Sequence, residues 1–516
     1  MILIGAAVCI VLAVCLHRRT AEWGCAARPR CGDVIAACAA LWVFALCLLL
    51  TGRPTVSALL CSIGILALWT CNESKKKSLR GEPLVFSDAA LLAQAYRFPA
   101  FYLPFLPVKK MLAALATGCI AGIALWQWEA AAYPSTAWWL PLAAPVALGV
   151  FLRCRYNAYA ADLLERIPLT FDPISDARRY GPLGAAALHV CWHLALCGNR
   201  DMGVIHARHS PHPSLAWPHE ILSAPANHAD NPDIFLVQAE SFYDPRCNPY
   251  VPGDILANYD AVCREATHGT LCVNACGAYT MRTEFSVLTG APSKALGTDA
   301  FNPYLAASRA PLWSLARHLR ARGYTTLCIH PFDPRFFLRH RVIPNMGFER
   351  FMTYDDFPAP ATFGPYVSDA FVAQSMLDAL RESGKPLFCF SITMEAHGPW
   401  GDSRFSDREI MDSPRFSACF SAQEQRYLAH LTNADAMIAA LIAGLRAAQR
   451  PATLGWYGDH PPMLPRLVKP EISGTPYFVW RNDGRAMPDK QDVSPESLGG
   501  MLLGTASTSE TCRICA

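Results

Sequence analysis

The chain has 516 residues, with 45 Lys+Arg against 42 Asp+Glu for a formal charge of +3, and it is 52% hydrophobic but only 17% charged. A soluble domain usually carries about 25% charged residues, so this composition excludes a disordered protein and argues against an ordinary cytosolic enzyme. The near-neutral balance gives no electrostatic case for a nucleic-acid partner.

The apolar excess lies at the front. Met1–Leu16, Val34–Leu50, Thr55–Trp69, Met111–Trp126 and Trp138–Leu152 contain no charge. Each is a little shorter than the ~20 residues that cross a bilayer, and neutral flanks extend most of them. Trp126, Trp128, Trp138 and Trp139 cluster around the fourth and fifth runs, as interfacial aromatics do. Met1–Leu16 lacks the basic start and small-residue cleavage site of a signal peptide. The runs therefore predict an anchor of five membrane helices over residues 1–155. Ala89–Val108 is also apolar but holds Arg97 and three prolines, which suits a re-entrant, interfacial or distorted sixth segment. Arg18, Arg19, Arg28 and Arg30 precede the second run, and Lys75, Lys76, Lys77 and Arg80 follow the third. With five spans these loops share a side with the C-terminal domain, which the positive-inside rule would draw into the cytoplasm. A sixth span would reverse that, so charge alone leaves the orientation open.

Ten of the 21 cysteines lie at or before Cys154, many inside apolar runs where Cys acts as a small hydrophobe. The other eleven lack the spacing of a zinc site, although Cys272 could form a disulfide with Cys276 or Cys263. Residues 156–230 read as a connector, and His206, His209, His212, His219 and His228, scattered among prolines, as a solvated linker.

From Asn231 the pattern changes. Ile234–Gln238, Thr325–His330, Pro386–Met394 and Thr453–Tyr457 are apolar runs of strand length. The amphipathic Leu312–Arg322, the helical Val367–Arg381 and a helix with Leu431, Ala434, Ile438, Leu441 and Leu445 at helical spacing alternate with them. Strands apolar on both faces and alternating with helices predict an α/β domain with a mainly parallel sheet covered on both sides. Ligands of such sheets gather beyond the carboxyl ends of the strands. Glu240, His330, His397 and the pair Asp459-His460 stand there. Carboxylate, imidazole and hydroxyl groups suit a hard divalent cation rather than a thiolate zinc site. Between the first two strands, Thr280 and Thr283 precede a stretch able to open a helix, whose amides favour an anion. A hydroxyl bound to a cation becomes a competent nucleophile.

The segment T-x-x-T-E-F-x-x-L-T-G from Thr280 to Gly290 lies between Ala239-Glu240-Ser241 upstream and the downstream motifs Met394-Glu-Ala-His-Gly-Pro-Trp400 and Tyr457-Gly-Asp-His-Pro-Pro462. Together these motifs resemble the lipoteichoic-acid synthase and phosphoglycerol transferase family of the sulfatase and alkaline-phosphatase superfamily. The resemblance covers roughly residues 232–479, and the multispan N-terminus resembles the family's anchor. It implies one divalent ion, manganese or alternatively magnesium, held by Glu240, Thr280, Asp459 and His460. Thr280 would be the nucleophile, and His330, Arg339 and His397 would line the substrate pocket, Arg339 by a forked contact to phosphate. Where family members often have tryptophan and asparagine before that arginine, this chain has Phe337 and Leu338, and Gly277-Ala-Tyr precedes the nucleophile. Both departures touch substrate preference. Glu284 reads as a structural hydrogen-bonding group, Thr283 as a rival nucleophile, and His318 and His340 as solvated.

The expected activity is transfer of glycerol phosphate from phosphatidylglycerol to an envelope glycan, glycolipid or polymer, by a multi-pass protein of the bacterial cytoplasmic membrane with an extracytoplasmic catalytic domain over residues 231–489. Residues 490–516 read as a mobile tail. A phosphoethanolamine transferase or sulfatase of the same superfamily is the nearest alternative. A sulfatase would need a C-x-P-x-R segment, which the nucleophile region lacks. A non-catalytic membrane scaffold should have lost a metal ligand, and all four are present.

Overall fold

The computed structural model describes residues 1–20, 30–79, 81–131, 166–196, 231–273, 277–401, 419–468, 474–484 and 488–504, with a few single positions between them. The chain divides into two compact units, residues 1–202 and 203–516.

In the first unit, α1 (Ile2–Thr20), α2 (Arg30–Thr51) and α3 (Pro54–Ser78) pack together, with α5 (Val108–Trp128) against α3. All four are long and apolar enough to cross a membrane. The core shared by α1, α2 and α3 is built largely from small residues, among them Ala6, Cys9, Ala13, Ala36 and Ala40, around Phe44 and Leu48. Small side chains let helix backbones approach closely where lipid gives no hydrophobic drive to associate. Glu129, just past α5, accepts the N–H groups of Thr55 at 2.9 Å and Val56 at 3.2 Å, so the start of α3 and the end of α5 meet. At the opposite end Arg18 pairs with Asp33 at 2.8 Å, and Lys75 pairs with Glu82 at 3.1 Å and Asp88 at 2.7 Å.

The apolar Ala89–Val108 stretch is broken into α4 (Leu91–Arg97) and short 3-10 turns. Seven helical residues reach ~10 Å, far short of a bilayer, and Leu92 and Tyr96 are exposed. The connector contributes α6 (Pro173–Tyr180) and α7 (Pro182–Leu196), joined by a buried Asp176–His189 pair at 2.8 Å. Residues 180–193 lie at the Arg18–Lys75 end, where Tyr180 meets Gly32 and His193 meets Phe86. The expected fifth run, Trp138–Leu152, lies outside the described residues, apart from single positions.

The second unit holds an eight-stranded sheet in the order β10-β2-β9-β8-β1-β7-β3-β4. Its parallel core is β4 (Arg350–Thr353), β3 (Thr325–His330), β7 (Leu387–Ile392), β1 (Asp233–Ala239) and β8 (Ala452–Gly458). Beyond β8, β9 (Thr475–Arg481) runs antiparallel to both β8 and β2 (Thr267–Leu271), and β10 (Asp489–Lys490) closes the edge. Every residue of β1, β7 and β8 is buried, which explains their continuous apolar reading. Two further strands, β5 (Thr362–Phe363) and β6 (Tyr366–Val367), form a separate hairpin.

One sheet face packs on α8 (Ala257–Cys263), α13 (Asp369–Glu382) and α14 (Ala422–Arg446), with Phe235, Val237, Leu454 and Trp456 beneath them. In α14 the helically spaced Leu431, Ala434, Ile438, Leu441 and Leu445 are all buried. This helix is apolar enough to resemble a membrane span, but it belongs to the core of this unit. Its start is fixed by Ser421 and Glu424, which form a reciprocal capping box. Helices α9 (Thr280–Thr289) and α15 (Pro495–Leu502) pack on each other, and α15 also packs on β8. Between them in sequence come α10 (Pro303–Ala307), α11 (Leu315–Ala321) and α12 (Arg339–Asn345). Cys272 is disulfide-bonded and Cys263 is a buried free thiol, so these two are not joined; Cys276 lies outside the described residues.

The segment after Asp489 differs from the mobile tail expected of it as far as residue 504. Leu498 and Leu502 are buried, and Leu502 lies so close over Gly455 that a Cβ there would stand 2.7 Å away. Leu502→Ala in the full-length protein should therefore cost about 2–5 kcal/mol, read as a lower thermal midpoint. An unchanged midpoint would mean that this helix is not part of the folded core.

Candidate active site

The carboxyl ends of the parallel strands bring the polar residues together. Glu240 follows β1, Thr393 follows β7, and Asp459 and His460 follow β8. The turn after β1 is tight: Ser241 adopts φ +52, and a Cβ on Gly458 would come within 2.1 Å of the Phe242 carbonyl oxygen. Only glycine permits that approach, and it places Asp459 beside the β1 turn. Ser241 N–H and His460 N–H donate to one Asp459 oxygen at 2.8 and 2.9 Å. The Thr280 hydroxyl donates to the other at 2.8 Å.

Thr280 is the first residue of α9, and Tyr279 before it is left-handed at φ +63. Such backbone strain persists only where surrounding contacts hold it; here the Arg282 guanidinium stacks 4.0 Å from the Tyr279 ring centre. His460 Nε2 stands 3.4 Å from Thr280 Oγ1, 3.3 Å from Asp459 Oδ2 and 3.8 Å from Glu240 Oε1. Ligand atoms of Glu240, Asp459 and His460 all lie within 4.8 Å of one another. None of these four residues is more than 6% exposed. Ser241 Oγ donates to Glu240 Oε1 at 2.8 Å, and Glu240 N–H donates to Thr393 Oγ1 at 3.0 Å. Burial, and then the neighbouring Glu240 charge, push the Asp459 carboxyl up to about 6. Burial opposes charge on His460, but Asp459 and Glu240 outweigh it and raise its pKa.

Thr283 is turned to a different task, since its hydroxyl donates to the Asp459 backbone oxygen at 2.9 Å. That bond ties α9 to the end of β8.

A second buried cluster forms around Arg339. Its Nη2 lies 2.7 Å from Glu284 Oε2 and its Nε 3.3 Å from Oε1, while Nη1 meets His330 Nε2 at 3.2 Å. Arginine only donates, so His330 Nε2 accepts and its Nδ1 donates to the Ile392 carbonyl at 3.3 Å. Burial and then the Arg339 charge push the His330 pKa well below its usual value, in keeping with a neutral ring. Glu284 also accepts from Tyr304 OH and from Gln238 Nε2, and Tyr457 OH donates to Gln238 at 2.5 Å. Arg339 follows two left-handed residues, Phe337 at φ +53 and Leu338 at φ +60. Asparagine adopts that conformation more readily than leucine, which gives the departure at Leu338 a conformational cost.

His397 is half-buried, with Nδ1 2.6 Å from the Gly398 carbonyl and with Phe336 and Tyr366 edge-on to its ring. Of the residues expected from sequence, Glu240, Thr280, Asp459 and His460 thus form one group and His330 and Arg339 another, while His397 packs on Phe336 and Tyr366. His318, expected in solvent, is instead buried in α11 beside Trp313, and burial pushes its pKa down to about 4. His340 is exposed. Sequence reasoning missed Ser241, Thr393, Gln238, Tyr304 and Tyr457. Only Ser241, next to Glu240, carried a local signal.

Residues 232–508 match the family model described as Sulfatase. The capsular polysaccharide biosynthesis protein RkpI of Rhizobium meliloti (strain 1021) is 30% identical over 84% of this chain and 80% of that protein. A putative cyclic beta-1,2-glucan modification protein of the same organism is 26% identical over 68% of this chain and 56% of its own length. Among solved structures, the Streptococcus pyogenes phosphoglycerol transferase GacH in complex with sn-glycerol-1-phosphate is similar at 23% identity and a TM-score of 0.47, over 56% of this chain and 78% of that one. The lipoteichoic acid synthase LtaP from Listeria monocytogenes is similar at 17% identity and a TM-score of 0.44, over 58% and 79%. The family match spans more than half of the sequence and the capsular relative most of it, and this chain belongs to the sulfatase family.

Proposed function

We propose that this protein is a multi-pass membrane phosphoglycerol transferase that moves glycerol phosphate from phosphatidylglycerol to an envelope glycan, glycolipid or polymer through a covalent intermediate on Thr280. One observation carries the reading: the Thr280 hydroxyl opens α9 2.8 Å from Asp459, inside the group that also holds Glu240 and His460. The two rhizobial relatives bear names that refer to capsular polysaccharide and to a cyclic glucan, which favours a glycan acceptor.

Two carboxylates, an imidazole and a hydroxyl, all buried, suit a hard divalent ion, manganese by the family resemblance. The upward push on Asp459 comes from burial and from Glu240, and a cation would relieve it. When bound there, the ion supplies positive charge that acidifies the Thr280 hydroxyl and balances the phosphoryl oxygens.

Asp459 Oδ2 holds the Thr280 proton and orients Oγ, which attacks phosphorus. The Thr280 Oγ–P bond forms, the bond from phosphorus to the diacylglycerol oxygen breaks, and His397 is the candidate to protonate that oxygen. An acceptor hydroxyl then attacks phosphorus and Thr280 Oγ leaves with a proton. Splitting the transfer means that donor and acceptor need not be bound together. Arg339 and His330 line the donor pocket. Residues 1–155 anchor the enzyme and residues 231–489 carry the chemistry on the extracytoplasmic side, where the donor head groups and glycans meet. Part of the basic charge that opposes this orientation is paired internally, as Arg18 with Asp33 and Lys75 with Glu82 and Asp88. A reporter fused after residue 504 should accordingly read as extracytoplasmic.

The metal-free site has a signed pH dependence. Asp459 titrates near 3.8 when unfolded and near 6 when folded, so the folded state takes up the proton first. The stabilising effect of that proton is complete below pH 4 and is lost as pH rises through 6. Asp459→Asn should therefore raise the thermal midpoint of metal-free protein at pH 8 by a few degrees, with little change at pH 4, while abolishing stabilisation by added manganese. Manganese stabilising Asp459→Asn as strongly as the parent would place the ion elsewhere.

Exposure of the purified protein to phosphatidylglycerol should leave a phosphoglycerol adduct on Thr280, seen by peptide mass analysis, and Thr280→Ala should remove both adduct and turnover. An adduct on Thr283, or full activity in Thr280→Ala, would overturn the assignment. An adduct formed only from phosphatidylethanolamine would move the enzyme to the sister activity.

A further inference from the structure

Arg339 has five N–H donors, and three are engaged: two by Glu284 and one by His330. Two remain without a hydrogen-bond partner among the described residues, one on each terminal nitrogen. Glu284 is itself fixed from several sides, by Gln238 at 3.1 Å, by Tyr304 and by the guanidinium, and is fully buried. It also lies four residues after Thr280 on α9. Residues at that spacing share a helix face, separated by about 6 Å along the axis. The Thr283 bond to the end of β8 prevents that helix from sliding. Nucleophile and guanidinium partner are thus spaced by one rigid turn.

We infer that Glu284 is a positioning residue: standing one helical turn from Thr280, it locks the Arg339 guanidinium in place, so that the two remaining N–H groups bind the phosphoryl oxygens of the donor. The inference rests on the proposed transferase reading and assigns Glu284 a role in it. An arginine side chain loses much rotamer freedom when it grips an anion, and here that loss is incurred on folding. Because Glu284 balances the Arg339 charge, the pocket gains orientation rather than net positive charge. Glu284 does not touch substrate; it acts through Arg339.

The test uses full-length, manganese-loaded protein, with inorganic phosphate as the binding probe and adduct formation from phosphatidylglycerol as the kinetic readout. Glu284→Gln and Arg339→Lys should each weaken phosphate binding about tenfold to a hundredfold. The double variant should be little worse than either single one, as coupled residues require. Manganese affinity should stay at the parent value, and the KM for phosphatidylglycerol should rise more than kcat falls. Parent-like phosphate affinity and KM in Glu284→Gln, or additive losses in the double variant, would overturn the inference. If Glu284→Gln does not fold, Glu284→Asp keeps the charge and retracts it by one methylene. Weakened phosphate binding in that variant supports positioning, whereas parent affinity would show a purely structural charge pair and end the proposal. Phosphate binding that depends on Glu284 in a protein forming no adduct on Thr280 would remove the proposed function while keeping Glu284 as the positioning partner of a phosphate-binding Arg339.

Discussion

The Asp459 carboxylate is where three separately folded pieces of chain are forced to agree. One oxygen takes N–H groups from the turn after β1 and from His460, and the other takes the hydroxyl at the start of α9. An uncompensated charge this deep is costly, so its donors have to be in place before the site can exist. That requirement accounts for several backbone features nearby. Ser241 and Tyr279 are both left-handed, and the β8 end carries a glycine where any side chain would strike the Phe242 carbonyl.

Helix α9 turns this local constraint into a longer-range one. All ten of its residues are buried, including three threonines, a serine, an arginine and a glutamate, which is an unusual load for a core helix. Several of these polar groups are matched to named partners: Thr280 and Thr283 to Asp459, Thr289 to Phe285, and Glu284 to Arg339, Tyr304 and Gln238. The helix therefore has little freedom to shift without breaking several buried bonds at once. Packing by α15 adds apolar support, which ties the end of the described chain to the placement of Thr280.

The parallel core was legible in the sequence because a strand buried on both faces is mainly apolar, and β1, β3, β7 and β8 are, with polar exceptions such as Gln238, His330 and Ser391. The helical spacing in α14 was legible for the same reason. By contrast, β2 is a half-buried Thr-His-Gly-Thr-Leu, and β4 and β10 are short edge pieces, so none carries a hydrophobic period. Helix α15 was hidden by a small-residue composition that suits close packing on Gly455 but resembles a polar tail. At the site, residues beside strand ends could be read from position alone. Tyr304, Gln238 and Tyr457 could not, because they enter through contacts between residues 20 to 219 positions apart. His318 was misread because its burial depends on the docking of α11 rather than on its neighbours in sequence.

The two buried clusters differ in electrostatic completeness, and that difference orders the events of the proposed reaction. Around Arg339 the charges cancel within the protein: one guanidinium faces one carboxylate, and His330 is neutral. That cluster is stable when empty and can be fully formed before any donor arrives. Around Asp459 two carboxylates face one imidazole in a buried space, and the strain appears as a carboxyl pushed up to about 6. That cluster is short of positive charge. A monoanionic phosphodiester brought to it unaided would add a third negative group to the deficit, whereas a divalent cation would first cancel the charge of the two carboxylates. Under the proposed function the cation therefore belongs to the resting enzyme and the lipid donor comes second. Arg339, whose own charge is matched by Glu284, then serves to orient the phosphate, a task that geometry performs better than charge.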